Sequence, residues 1–163
     1  MIRRLARSAE EMERFGAELG RAVPPLPRGP AILYLEGELG AGKTTLARGL
    51  IAARSYSGPV RSPTFTLLER YGLDGLTAIH IDLYRLREPR ELEALGLRDF
   101  AVPWHLWIVE WPERGADILP AADVRVALHV TSEGHHAAAT AQSPLGHGWL
   151  ETMRGVEIVP PPT

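Results

Sequence analysis

GELGAGKTT, residues 37–45, satisfies in full the pattern G-x-x-x-x-G-K-[ST]. Gly37, Gly40 and Gly42 let the backbone curl so that successive N–H groups point inward at an anion. AILYLE, residues 31–36, precedes the loop as a short apolar run suited to a buried strand, and TTLARGLIAAR, residues 44–54, follows it as a helix. In that setting the pattern carries a mechanism: the helix start adds its positive dipole end to the loop amides, Lys43 reaches β- and γ-phosphates, and the Thr44 hydroxyl ligates Mg²⁺, while Thr45 packs or caps. A merely structural glycine turn is the competing reading. Composition weighs against it, because every one of the 18 basic residues except Lys43 is arginine. A compact ammonium on a thin stem threads a closed loop where a planar guanidinium does not.

Outward from the loop, Ser8 with Glu11 three residues later forms a capping-box spacing, and Met12, Phe15 and Leu19 recur at helical intervals. Pro24, Pro25 and Pro27 end that helix. Downstream, residues 55–65 read as a surface loop and residues 64–71 as a strand. TAIHIDLY, residues 77–84, alternates toward a strand ending near Asp82; residues 88–100 are helical with Gly96 interrupting; LWIVEW, residues 106–111, is an apolar strand broken by Pro112. Residues 124–130 and 136–142 read as a closing hairpin around Ser132, Glu133 and Gly134, with His135 and His136 as turn residues. The expected organisation is one P-loop domain over residues 1–154, an α/β fold with a mixed, mainly parallel sheet flanked by helices, and a frayed Pro-rich tail over residues 155–163.

Composition bounds the function. The formal charge of −2 argues against a stand-alone nucleic-acid binder, which carries a basic face. Cysteine is absent, so disulfides and thiolate metal sites are excluded. No apolar run reaches the length of a membrane span, and the first residues mix bases and acids rather than forming a signal core, so a cytoplasmic protein without membrane contact is expected.

A P-loop needs a carboxylate near its magnesium or the attacking water, at the carboxyl end of a neighbouring parallel strand. Asp82 and Glu110 both fit, and the residues alone do not divide the two roles. A solvated strand-end acid is the plain alternative for either. SPTFTL, residues 62–67, stands where a switch segment would, with Thr64 as the candidate sensor against an ordinary turn. Arg85, Arg87 and Arg90 are a lid, a partner contact or a solvated helix face. Trp104 and Trp107 read as core, whereas Trp111 flanks Glu110 at the rim of the site. The six histidines show no metal-ligand spacing.

Taken together and in this order, GELGAGKTT, SPTFTL, HIDLYRL, ELEALGLRDF and VEWPERG closely resemble the TsaE (YjeE) family over roughly residues 7–135. The resemblance implies a small cytosolic P-loop ATPase that uses ATP and Mg²⁺. It implies work with the TsaB–TsaD complex, which transfers a threonylcarbamoyl group to the adenosine just 3′ of tRNA anticodons, so that tRNA is met only through that complex. Nucleotide turnover would reset the complex rather than supply the group. Position by position it implies phosphate contacts from Glu38, Leu39, Gly40, Ala41, Gly42, Lys43, Thr44 and Thr45, and magnesium ligation by Thr44 and Glu110. Thr64, Asp82 and Trp111 fall near the γ-phosphate and partner face, and Arg7 to Ala9 near the adenine. Family members commonly have Gly-Arg in the late hairpin; here Gly134 is followed by His135, so an arginine contact is not carried over.

Two other classes compete. A small-molecule kinase would use the arginines as a lid and Asp82 as base for an acceptor hydroxyl. A GTPase-like switch would need an Asn-Lys-x-Asp motif, which a chain with Lys43 as its only lysine cannot contain.

Overall fold

The computed structural model describes residues 1–63 and 65–155. Its centre is the strand β2, Ala31–Glu36, in which every residue from Ala31 to Leu35 is buried. Such a run is expected of a parallel strand covered on both faces. Among the described residues, the other strands are β1 (Ile2–Ala6), β3 (Leu68–Leu73), β4 (Leu76–Asp82), β5 (His105–Glu110), β6 (Val124–Thr131) and β7 (Gly134–Ala141), all in one sheet ordered β1-β7-β6-β2-β5-β4-β3. The middle four, β6, β2, β5 and β4, run parallel, and the parallel character is concentrated there. The outer pairings β1–β7, β6–β7 and β3–β4 are antiparallel.

Alternation along β2 divides the core. Ala31, Leu33 and Leu35 face the helices α1 (Ala9–Arg21), α2 (Lys43–Ala52) and α4 (Pro144–Gly155). Ile32 and Tyr34 face the opposite side, where the short helix α3 (Arg90–Ala94) and a 3₁₀ turn (Leu97–Phe100) close a second cluster with Leu92, Leu97 and Trp107. Ser8 caps α1 by accepting from the Glu11 N–H at 3.2 Å, while the Glu11 carboxylate turns back to the Arg7 N–H at 2.6 Å. The reciprocal contact is therefore made one residue before the cap. The helices α1 and α2 cross with their backbones in near contact. A Cβ added at Gly16 would fall 2.0 Å from the Leu46 carbonyl oxygen, and one at Gly49 would fall 2.0 Å from that of Glu13.

Several boundaries differ from expectation. The strand anticipated over residues 64–71 starts at Leu68, after a turn. The helix expected over residues 88–100 is split at Gly96, whose left-handed φ of 67° separates α3 from the 3₁₀ turn. His135 and His136 are not turn residues: they belong to β7 and pair with Ala6 and Leu5 of β1. Two elements, β1 and α4, stand where the sequence shows no strong pattern. The strand β1 is an arginine-bearing edge, and α4 carries glycines in its interior. That helix starts instead from a cap, with Ser143 Oγ accepting from the Gly146 N–H at 3.0 Å and donating to Asp123 at 2.6 Å. Trp149 is fully buried and its indole N–H donates to the Leu19 carbonyl at 2.9 Å, which docks α4 against α1. Of the tail expected over residues 155–163, Gly155 ends α4 and the rest lies outside the described residues.

The helix crossing yields a paired test. Gly49→Ala should lower stability by about 1–3 kcal/mol although alanine is the better helix former, because the methyl is forced into the α1 backbone. Gly148→Ala, where an added Cβ meets nothing within 4 Å, should instead stabilise by up to about 1 kcal/mol. Urea denaturation followed by tryptophan fluorescence measures both, and equal behaviour of the two variants would refute the close-crossing account.

Candidate functional site

Between β2 and α2 the chain makes the loop that the glycines permit. Gly40 and Gly42 adopt φ values of 80° and 105°, a region costly for side-chain-bearing residues, and Gly42 is the N-cap of α2. The loop closes on its own lysine: Lys43 Nζ donates to the carbonyls of Gly37 at 2.6 Å and Glu38 at 2.8 Å. The hairpin β6–β7 braces it from outside. Glu38 Oε1 accepts from the Val130 N–H at 3.1 Å, and His135 Nδ1 donates to the Ala41 carbonyl at 2.9 Å. The amides left facing the cleft are those of the loop and the first turn of α2, the arrangement that receives phosphate oxygens.

Strand register sets the two acids side by side. Asp82 and Glu110 are paired residues at the carboxyl ends of β4 and β5, and both are buried. Their partners differ. Both oxygens of Glu110 accept from the Thr44 hydroxyl, at 2.9 and 3.1 Å, and Oε1 also meets His80 Nε2 at 2.8 Å. Asp82 accepts from the Ser62 hydroxyl and, at 2.9 Å, from the Tyr84 N–H. Glu110 thus stands at the P-loop hydroxyl, whereas Asp82 ties together the loops on either side of it. Magnesium takes hard oxygen donors, commonly one or two carboxylates together with substrate phosphates and water. The contact between the Thr44 hydroxyl and the Glu110 carboxylate fits that requirement. No group of three or more His, Cys, Asp or Glu able to hold a metal occurs among the described residues.

Trp111 follows Glu110 in a left-handed conformation, φ 57° and ψ 48°. For a non-glycine residue this costs on the order of 1–3 kcal/mol and is found at functional sites. The turn carries the indole over Lys43, with Nζ 4.1 Å from the ring centroid. Tyr84 packs on Trp111 at 5.0 Å, and Arg114 lies over both rings. Burial pulls the Lys43 ammonium below its ordinary pKa; Glu110, Asp82, Glu113 and Glu38 oppose that by attraction.

The structure brings Leu39, Gly40, Gly42, Lys43, Thr44, Thr45, Asp82, Glu110 and Trp111 to one cleft of about 480 Å³, together with Ser62, Tyr84 and Arg85. Ala41 is buried behind the loop, and Glu38 holds it to the hairpin. Arg7, Ala9 and Gly134 are not part of that lining. They sit on the opposite flank, where the Gly134 backbone abuts Ala6 and Arg7, and where Met12 and His135 border Gly42. Thr64 lies outside the described residues. Arg87 and Arg90 are exposed, while Arg85 lies 5.6 Å from the Phe65 ring. Trp104 is exposed rather than core. Sequence reasoning passed over His80, Ser62 and the His135 brace. His80 was legible in principle, since two residues before Asp82 in a strand means the same face. A larger groove of about 780 Å³ lies beneath α3, lined by Leu92, Leu97, Trp107 and Ile118 among others. It is on the far face of the sheet from the glycine loop, which opens onto the smaller cleft.

A parallel sheet centre, a lysine-closed glycine loop opening a helix, and acids at the neighbouring strand ends define a P-loop nucleotide-binding fold. The family model described as "Threonylcarbamoyl adenosine biosynthesis protein TsaE" matches residues 6–138. The chain is 42% identical over 136 residues to the tRNA threonylcarbamoyladenosine biosynthesis protein TsaE of Haemophilus influenzae, covering 83% of this chain and 86% of that one. It is 34% identical over 140 residues to the protein of the same name from Treponema pallidum, covering 86% and 100%. The crystal structure of Bacillus subtilis YdiB superimposes with a TM-score of 0.74 over 94% of both chains at 23% identity, a likeness of fold. The chain belongs to the TsaE family.

The lysine geometry is directly testable. Replacing Lys43 by methionine removes the ammonium that would meet the phosphates, and a charge-assisted hydrogen bond is worth about 1.5–3 kcal/mol, so triphosphate affinity should fall about 10–10²-fold. Lys43→Arg should fail comparably, because the fork does not fit between two carbonyls and the Trp111 ring. Titration with a fluorescent nucleotide measures both, and wild-type affinity in Lys43→Arg would contradict the steric account.

Proposed function

We propose that this protein is a magnesium-dependent ATPase of the cytoplasm that supports a TsaB–TsaD complex in threonylcarbamoylation of the tRNA adenosine next to the anticodon. The observation that carries the nucleotide chemistry is the Thr44 hydroxyl on the Glu110 carboxylate, at 2.9 and 3.1 Å, beside the buried Lys43. Thr44 and Glu110 would hold the metal, which when bound neutralises charge on the β- and γ-phosphates. Lys43 and the loop amides hold the phosphates, and Trp111 shields the lysine from water. The pathway rests on family membership and on relatives named for threonylcarbamoyladenosine biosynthesis.

Adenine is favoured over guanine because the only lysine is Lys43, which leaves no Asn-Lys-x-Asp motif. Both oxygens of Asp82 are already engaged by Ser62 and Tyr84, which weighs against a kinase that uses Asp82 as base for an acceptor hydroxyl. The residue after Gly134 is His135, whose Nδ1 is occupied by the Ala41 carbonyl. That nitrogen is spent on the loop, and the position lacks the guanidinium fork that an arginine would bring to a phosphate. Turnover by the isolated protein is therefore expected to be slow, and stimulated when partners add charge in trans, an effect that reaches several orders of magnitude in phosphoryl transfer. Phosphate release from ATP, with and without a TsaB–TsaD preparation, tests this. Fast hydrolysis indifferent to the complex would refute it, as would GTP competing equally with ATP.

The unequal surroundings of the acids separate their roles. Glu110→Ala should weaken magnesium-dependent ATP binding about tenfold or more. Asp82→Ala should bind Mg·ATP nearly normally and lose turnover about 10²-fold, the signature of support given in the transition state. Dissociation constants with and without magnesium decide between them. Loss of metal-dependent binding in Asp82→Ala with retention in Glu110→Ala reverses the assignment.

A further inference from the structure

His80 lies in β4 with no exposed surface, on the sheet face that also carries Asp82 and looks toward α2. Its Nε2 is 2.8 Å from Glu110 Oε1. A carboxylate only accepts, so Nε2 bears the proton and donates it. Nδ1 is equally buried and has no hydrogen-bond partner among the described residues. The single hydrogen bond of the ring is therefore the one directed at Glu110. An apolar side chain of similar size would fill this space without burying a polar ring.

The two oxygens of Glu110 are not equivalent. Oε1 receives both His80 and Thr44, whereas Oε2, among the described residues, meets only Thr44, at 3.1 Å. The Thr44 hydroxyl is a group that turns toward a cation when one binds. His80 comes from within the sheet and stays. We infer that His80 is a positioning residue for Glu110, anchoring Oε1 so that Oε2 is presented to the metal position. The inference rests on the proposed magnesium role of Thr44 and Glu110. Its physical basis is general: hydrogen bonds that orient a ligating carboxylate matter nearly as much to metal affinity as the ligand itself.

Isosteric amides separate positioning from mere filling. In His80→Gln the amide nitrogen reaches the place of Nε2; in His80→Asn it reaches only that of Nδ1, and His80→Phe supplies volume alone. The measurement is the affinity of the full chain for a fluorescent ATP analogue as magnesium is varied, with thermal melts to show that each variant is folded. His80→Asn and His80→Phe should need about 10–100-fold more magnesium for half-maximal effect, and His80→Gln should stay within about threefold of wild type. Affinity without magnesium should change less than about twofold in all three, because the phosphate contacts are made by Lys43 and the loop. Should His80→Phe not fold, the two amides still carry the comparison. Wild-type magnesium dependence in His80→Asn, or a defect in His80→Gln as large as in His80→Asn, overturns the inference and leaves the magnesium role standing. A wild-type protein whose nucleotide affinity ignores magnesium overturns both.

Discussion

The buried ammonium of Lys43 is the group around which the rest of the molecule is organised. Desolvation alone would push it toward the neutral form, and an uncharged amine would neither close the loop nor attract a phosphate. Two carbonyls of its own loop, at 2.6 and 2.8 Å, and the face of Trp111 at 4.1 Å replace the lost water. Glu110 and Asp82 add attraction from the strand ends. Each of these groups is in place only because a larger element puts it there. The carbonyls need the glycine loop, the indole needs a left-handed turn, and the acids need parallel register. The charge is thus a property of the fold, not of one residue.

That dependence explains why the sheet is mixed. Four parallel strands bring the ends of β2, β4 and β5 to a single edge, where loop and acids meet. The antiparallel hairpin β6–β7 then reaches beyond that edge and grips the loop from behind, through Val130 to Glu38 and His135 to Ala41. The edge strand β1 pairs with β7 and leads directly into the cap of α1, so the hairpin and the first helix form one support. The close crossing of α1 and α2 through Gly16 and Gly49 carries the support to the helix that starts at the loop.

How much of this was legible in the residues follows from where each signal originates. The glycine loop, the strand AILYLE and the acids ending two apolar strands are local patterns, and they were readable because chemistry and local structure coincide there. The helix α4 was not, because its stabilisation is tertiary. Trp149 bonds to Leu19, 130 residues away, and Ser143 is held by Asp123. The strand β1 was hidden for a related reason: its arginines sit at a sheet edge, and its partner is the far end of the chain. His135 and His136 look like turn residues because they follow a turn glycine, yet pairing with β1 extends the strand through them. The residues alone did not divide the two acids, since their difference lies in what touches them; the assignment of magnesium to Glu110 came from the family resemblance.

Those contacts place Glu110 and Asp82 in different mechanical classes. Glu110 is held by His80 from inside the sheet and by Thr44 from the start of α2, both parts of the rigid core. Asp82 is held by Ser62 and by the backbone N–H of Tyr84, both in loops. A carboxylate anchored by core elements keeps one geometry whatever occurs at the surface, as a metal position requires. A carboxylate anchored by loops follows those loops when they shift, whereas one anchored by core elements does not. The two adjacent acids thus differ in what anchors them, and that difference, which underlies the proposed division between metal binding and turnover, comes from side chains that neither acid chose by its own position in the sequence.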